Sequence, residues 1–203
     1  MNGNVHMAVG AATATGIALI MPEMQDIKML PIGIGVAVFA SVLPDIDANG
    51  DSKAKKMFRH FMSITLIALI AIIAYSFILG LSIIDYFSKA NILQIFAIGG
   101  FFLCCILGYL SNHRCYTHRW YGLVSFTLCF YIMFGLPLTY WFFAGFFSHQ
   151  IIDMLNKKKI LWLYPLPVDF ARYVCKADSK LSTLIGTISV TLAVLFTGLI
   201  IIL

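Results

Sequence analysis

The chain has 203 residues, 61% of them hydrophobic and 11% charged, with a mean hydropathy of +0.91. A soluble domain carries about 25% charged residues, so too few charges remain here to coat a water-exposed surface. A soluble enzyme, a disordered chain and a nucleic-acid-binding arm are excluded. The net charge of +5 therefore takes a membrane reading, and no nucleic-acid partner is expected.

Residues 6–21 and 30–44 are short, Gly- and Ala-rich apolar stretches. They read either as tilted spans or as a pair packed inside a bundle, where small residues let backbones approach. Residues 61–84, 91–111 and 181–203 each supply about 20 apolar residues, enough to cross a ~30 Å hydrocarbon core as helices. Residues 120–136 and 138–155 are split by Gly135 and Pro137, a connection so short that the two helices must be antiparallel neighbours. The predicted fold class is all-α: a polytopic transmembrane bundle of about seven helices in one membrane domain, residues 1–203. Segment 156–180 mixes basic residues with Trp162, Tyr164, Phe170 and Tyr173. Two readings stand for it, an interfacial segment with its aromatics toward the acyl boundary and a solvated loop with aromatic anchors.

If all seven stretches cross, 12 of the 14 Lys and Arg residues fall on the amino-terminal side, and only Lys28 and Lys89 on the other. The positive-inside rule then places the amino terminus in the cytoplasm and the carboxy terminus outside. Tyr86, Tyr140 and Trp141 are expected at the outer interface, and Trp120, Trp162 and Tyr164 at the inner one. No Lys or Arg precedes the first apolar stretch, so a cleaved signal peptide is not expected. The five cysteines form no CxxC pair, and no disulfides are expected.

Polar groups near a bilayer need a partner or a function. All five histidines fall on one side of this topology. His6 opens the first stretch and Asp45 and Asp47 close the second, in LPDID. His60 precedes the third, His113 and His118 flank NHRCYTH, and His149 and Asp153 end the sixth in SHQIID. His149 and Asp153, four apart, project from one helix face. Imidazoles with carboxylates suit zinc, manganese or iron(II), and without a cysteine cluster a thiolate zinc site is disfavoured. The alternatives are ordinary: Asp45 and Asp47 pairing with Lys53, Lys55 or Arg59, and His149 hydrogen-bonded to Asp153. Their shared location on one face argues for a common site.

The ordered blocks HMAVG, LPDID, HRCYTH, SHQIID and WLYP resemble the YdjM-like family of LexA-regulated, membrane-bound, predicted metal-dependent hydrolases. That family is in turn distantly similar to the zinc phospholipase C and P1 nuclease group. The resemblance implies His6, Asp45, Asp47, His113, His118, His149 and Asp153 as metal ligands, an SOS-type response, and a phosphoester substrate. The sequence departs from the family pattern at Cys115 and Arg119, where Gly and Ser are usual, and at Asn156 and Lys159, where Thr and Gly are.

The expected function is therefore metal-assisted hydrolysis of a phosphoester at the cytoplasmic membrane interface. Two or three divalent ions serve it, zinc first and manganese as the other choice, with membrane lipids as partners and a lipid phosphoester as substrate. The only glutamate is Glu23, on the far side, so Asp45 or Asp47 would take the proton. Arg114 is the residue placed to hold a phosphate, unless it serves only as a topology charge. The rivals are a divalent-metal transporter and a membrane protein with a vestigial metal site. No HExxH or GxSxG occurs.

Overall fold

Asn2 opens the first helix by accepting the Val5 amide on its side chain, so α1 runs Gly3–Ala18 and begins three residues before the apolar stretch suggests. The computed structural model describes residues 2–48, 50, 55–60, 63, 67, 91–156, 159–172, 174, 176 and 179–202. The expected span 61–84 thus lies outside the described residues, apart from Ser63 and Ile67. After a 3₁₀ turn at Pro22–Met24, α2 (Leu30–Val42) starts with proline in its first turn and tightens into a second 3₁₀ turn, Leu43–Asp47. Residues 55–60 are helical and His60 is exposed. Asn91 caps α3 (Ile92–Leu110), and α4 spans Trp120–Phe134. Gly135, at φ 78°, is the whole connection to α5 (Leu136–Met154), and α6 covers Lys180–Ile202. Only glycine adopts that φ without strain. No strand is present among the described residues, and the protein is an all-helical membrane bundle.

Among the described residues three segments are long and apolar enough to cross a bilayer: Leu30–Asp47, Ile92–Leu110 and Lys180–Ile202. The exposed Leu93, Phe96 and Leu110 of α3 and Leu184, Val190 and Val194 of α6 are lipid-facing groups in that setting. Helix α5 is different, with its Phe142, Phe146, Ser148, His149 and Gln150 all buried. It packs against α1, α2 and α4, while α6 lies on α1 and α3 on α4.

Lipid tails are as apolar as leucine, so close packing holds such helices together. A Cβ on Gly145 would collide with the Ala37 carbonyl, which shows how closely α5 approaches α2. On the α4 side the same helix packs aromatically, Phe130 stacking on Phe142 at 4.3 Å, and Phe101 of α3 meets Phe126 of α4 edge-on at 5.3 Å. Trp141 corrects the expectation of an outer interfacial anchor. It is 1% exposed, its indole filling the space that the missing side chain of Gly33 leaves on α2.

Candidate metal centre

The start of α1, the ends of α2, α3 and α5, and the start of α4 meet at one end of the bundle, which is what alternating helices do with the His and Asp residues of the sequence. Four of those residues converge. One donor atom from each of Asp45, His118, His149 and Asp153 lies within 4.8 Å of the other three. Nε2 of His118 is 3.2 Å from Nε2 of His149, 3.4 Å from Asp153 Oδ2 and 3.9 Å from Asp45 Oδ1, and His149 Nε2 is 3.6 Å from the same Asp45 oxygen. Bonds of about 2.0–2.2 Å at a tetrahedral angle separate donors by about 3.3–3.6 Å. The four edges just given, 3.2–3.9 Å, bracket that separation.

Hydrogen bonds fix which ring nitrogens face inward. His149 Nδ1 is 2.7 Å from the Ser41 carbonyl oxygen, which only accepts, so Nδ1 carries the hydrogen and Nε2 presents its lone pair. His118 Nδ1 donates in the same way to Asp47 Oδ2 at 3.1 Å. Burial opposes a charge on His118, but hydrogen bonds to Asp153 and Asp47 outweigh it and lift the imidazole to about 10. A proton on His118 Nε2 thus supplies the positive charge the carboxylates require, a charge that a cation held there would supply in its place.

His6 lies at the edge of this cluster. Its ring is fully buried, stacks on His149 at 3.9 Å, and has no hydrogen-bond partner on either nitrogen. Nε2 points at Asp153 Oδ1 from 3.4 Å. Asp153 therefore turns one oxygen toward His118 and the other toward His6. Among the described residues this long carboxylate contact is the polar neighbour of a fully buried imidazole, which leaves it the capacity to take a ligand.

Asp47 and His113 do not join the four. Asp47 is 2% exposed and surrounded by donors: His113 Nδ1 at 2.9 Å on one oxygen, and on the other the Arg114 amide at 2.9 Å, the Thr117 hydroxyl at 2.8 Å and His118. Residues 45 and 47 leave the 3₁₀ turn in different directions, Asp45 into the cluster and Asp47 behind His118. Such a carboxylate–histidine pair orients a metal ligand from outside the coordination shell. Arg114 donates from Nη2 to Asp153 Oδ2 at 3.0 Å. Its φ of 67° is in the left-handed region, a strained conformation for a side chain of this size. It allows the amide and the guanidinium of one residue to reach Asp47 and Asp153 together. His60, exposed in 55–60, has no part in the cluster.

Over its whole length, residues 1–203, the chain matches the model of the YdjM inner membrane protein family. The chain belongs to that family. No curated protein and no solved structure matches it. Three participants that are not among the candidate ligands hold the site in place. The Ser41 carbonyl orients His149, and Thr117, through its hydroxyl, ties Pro44 O to the loop at 2.8 Å. Gln150 donates to the carbonyls of Thr117 and Arg119 at 3.0 and 3.3 Å and accepts from Trp162 Nε1 at 2.9 Å. A glutamine buried beside a candidate ligand, as in SHQ, is the one local signal of this support. The other two depend on contacts between distant parts of the chain.

Proposed function

We propose that the protein is a membrane-bound metal-dependent hydrolase acting on a phosphoester at the cytoplasmic face of the inner membrane. The observation that carries this reading is the convergence of two inward-facing imidazole nitrogens 3.2 Å apart with two carboxylates. Asp45, His118, His149 and Asp153 would hold one ion, and His6 with the second oxygen of Asp153 would hold another. Two imidazoles and two carboxylates favour zinc, with manganese as the runner-up. The chemistry such ions supply is Lewis acidity, which polarises a phosphoryl oxygen and acidifies water toward a pKa of ~7. The remaining work falls to side chains. Asp45 has 19% of its side chain exposed, against 0–3% for His118, His149 and Asp153. It is the ligand that incoming water meets, and so the group placed to take the proton. Asp47, saturated by donors, positions His118, and Arg114 holds Asp153 in its bridging orientation.

The transporter alternative needs polar groups along a path through the bundle. In α6 the hydroxyls of Thr187 and Thr191 instead bond their own helix, at 3.1 and 3.2 Å, and Thr15 does the same in α1 at 2.8 Å. Among the described residues the clustered donors lie at one end of the bundle, which favours chemistry there over passage.

Two tests follow. Purified protein given phospholipids, lipid phosphates and generic phosphodiesters with zinc or manganese should turn over at least one of them, and a chelator should stop it. Turnover that survives chelation, or metal flux in proteoliposomes without hydrolysis, would defeat the reading. Reporter fusions after Leu203 and within residues 51–56 should report opposite sides, with the latter cytoplasmic. Agreement between them would contradict the orientation drawn from 12 basic residues against 2.

A further inference from the structure

Arg114, the residue the sequence offers to a phosphate, is engaged by Asp153. Arg119 is not engaged by any carboxylate among the described residues. Its Nη1 donates to the Tyr121 hydroxyl at 2.9 Å, Nη2 reaches only the Cys115 thiol at 3.9 Å, and Nε is buried without an acceptor. The Tyr164 ring covers one face of the guanidinium at 4.0 Å. A guanidinium offers five N–H groups in a planar fork. Half-buried at the end of a membrane bundle and without a counter-charge among the described residues, it suits an anion with several oxygens; of the two that match the fork, carboxylate and phosphate, phosphate is the one every phospholipid carries.

The surroundings indicate where that phosphate comes from. Trp120, Tyr164, Leu166 and Val168 are exposed on the same end of the bundle. Their backbone is pinned: Trp120 N donates to Trp162 O at 3.1 Å and Trp120 Nε1 to Tyr164 O at 2.9 Å. Asp169 accepts the Ile160 and Ala171 amides at 3.1 and 2.9 Å, closing the loop at its base. A fixed shelf of exposed aromatic and aliphatic side chains at the end of membrane-spanning helices belongs at the acyl boundary, with its cation at headgroup depth. Arg119 also adjoins His118 in the chain.

We infer that Arg119, roofed by Tyr164 and flanked by Trp120, binds the phosphate of a phospholipid headgroup. The site exists independently of hydrolysis. Under the hydrolase reading, on which its use in catalysis rests, it delivers a headgroup phosphate beside the metal centre.

Native mass spectrometry of the full chain released from nanodiscs of mixed phosphatidylglycerol and phosphatidylcholine tests it. The unaltered protein should retain phosphatidylglycerol preferentially. Arg119→Ser should lower that retention by about tenfold, the loss expected for one charge-assisted contact. Arg119→Lys, which keeps the charge without the fork, should fall between the two, and Tyr164→Leu, which removes the roof but leaves the cation, should also weaken retention. Excess inorganic phosphate should not displace the lipid. Equal retention in Arg119→Ser and Tyr164→Leu would overturn the site, and displacement by inorganic phosphate would overturn its assignment to a lipid. Failure of every hydrolysis assay would leave this readout standing, so the two proposals fail separately.

Discussion

Asp153→Asn is expected to lose about one bound divalent ion per chain, whereas Asp47→Asn should keep full stoichiometry and bind about 10–100-fold more weakly. The difference follows from placement. Asp153 lies between two sets of imidazoles, its Oδ2 at 3.4 Å from His118 and its Oδ1 at 3.4 Å from His6. A four-donor zinc site worth about 10–16 kcal/mol loses about 3–4 kcal/mol with one donor, several hundredfold in affinity. The asparagine also leaves the buried guanidinium of Arg114 without its carboxylate, a further penalty. Asparagine at 47 keeps one oxygen for His118 or Arg114 but turns an amide toward the remaining donors, so the ligand is misaimed rather than lost. Metal titration of both variants, with circular dichroism to confirm that the helices remain, checks this. Equal losses in the two would place Asp47 in the coordination shell.

Gly145→Leu should prevent assembly of the site by pushing α2 from α5. Even its first added carbon would overlap the Ala37 carbonyl, and overpacking of this kind costs about 1–3 kcal/mol or more. Ser41 and Asp45 lie further along the same helix and turn, so the separation also draws them away from His149. The expected result is a lowered melting temperature in detergent together with lost metal binding. Gly99→Leu is the control, because a Cβ added there meets nothing within 4 Å. A metal-competent Gly145→Leu protein would show that the α2–α5 approach is not what sets the site.

The features legible in the sequence are those that depend on spacing along one element. Hydropathy marks the helices, and the interval of four between His149 and Asp153 places both on one face of α5. Alternation of helix direction brings the blocks HMAVG, LPDID, HRCYTH and SHQIID to one end. What spacing cannot supply is the path of the backbone beyond each helix. Asp45 and Asp47 look equivalent in LPDID, and only the 3₁₀ turn sends one into the cluster and the other behind His118. Arg114 reads as a topology charge or a phosphate ligand, and its left-handed backbone turns it instead to two aspartates. Trp141 reads as an interfacial anchor because an aromatic near a helix end commonly is one. Its burial depends on Gly33 lying opposite, a tertiary coincidence the local sequence does not encode.

The most direct test of the central claim, that Asp45, His118, His149 and Asp153 together hold a divalent ion, is X-ray absorption at the zinc edge of the loaded, detergent-purified chain. The account predicts a first shell of nitrogen and oxygen at about 2.0–2.2 Å, with the outer-shell scattering of two or more imidazoles and no sulfur. A sulfur shell at about 2.3 Å, which would bring in Cys115, or an oxygen-only shell without imidazole, would contradict it.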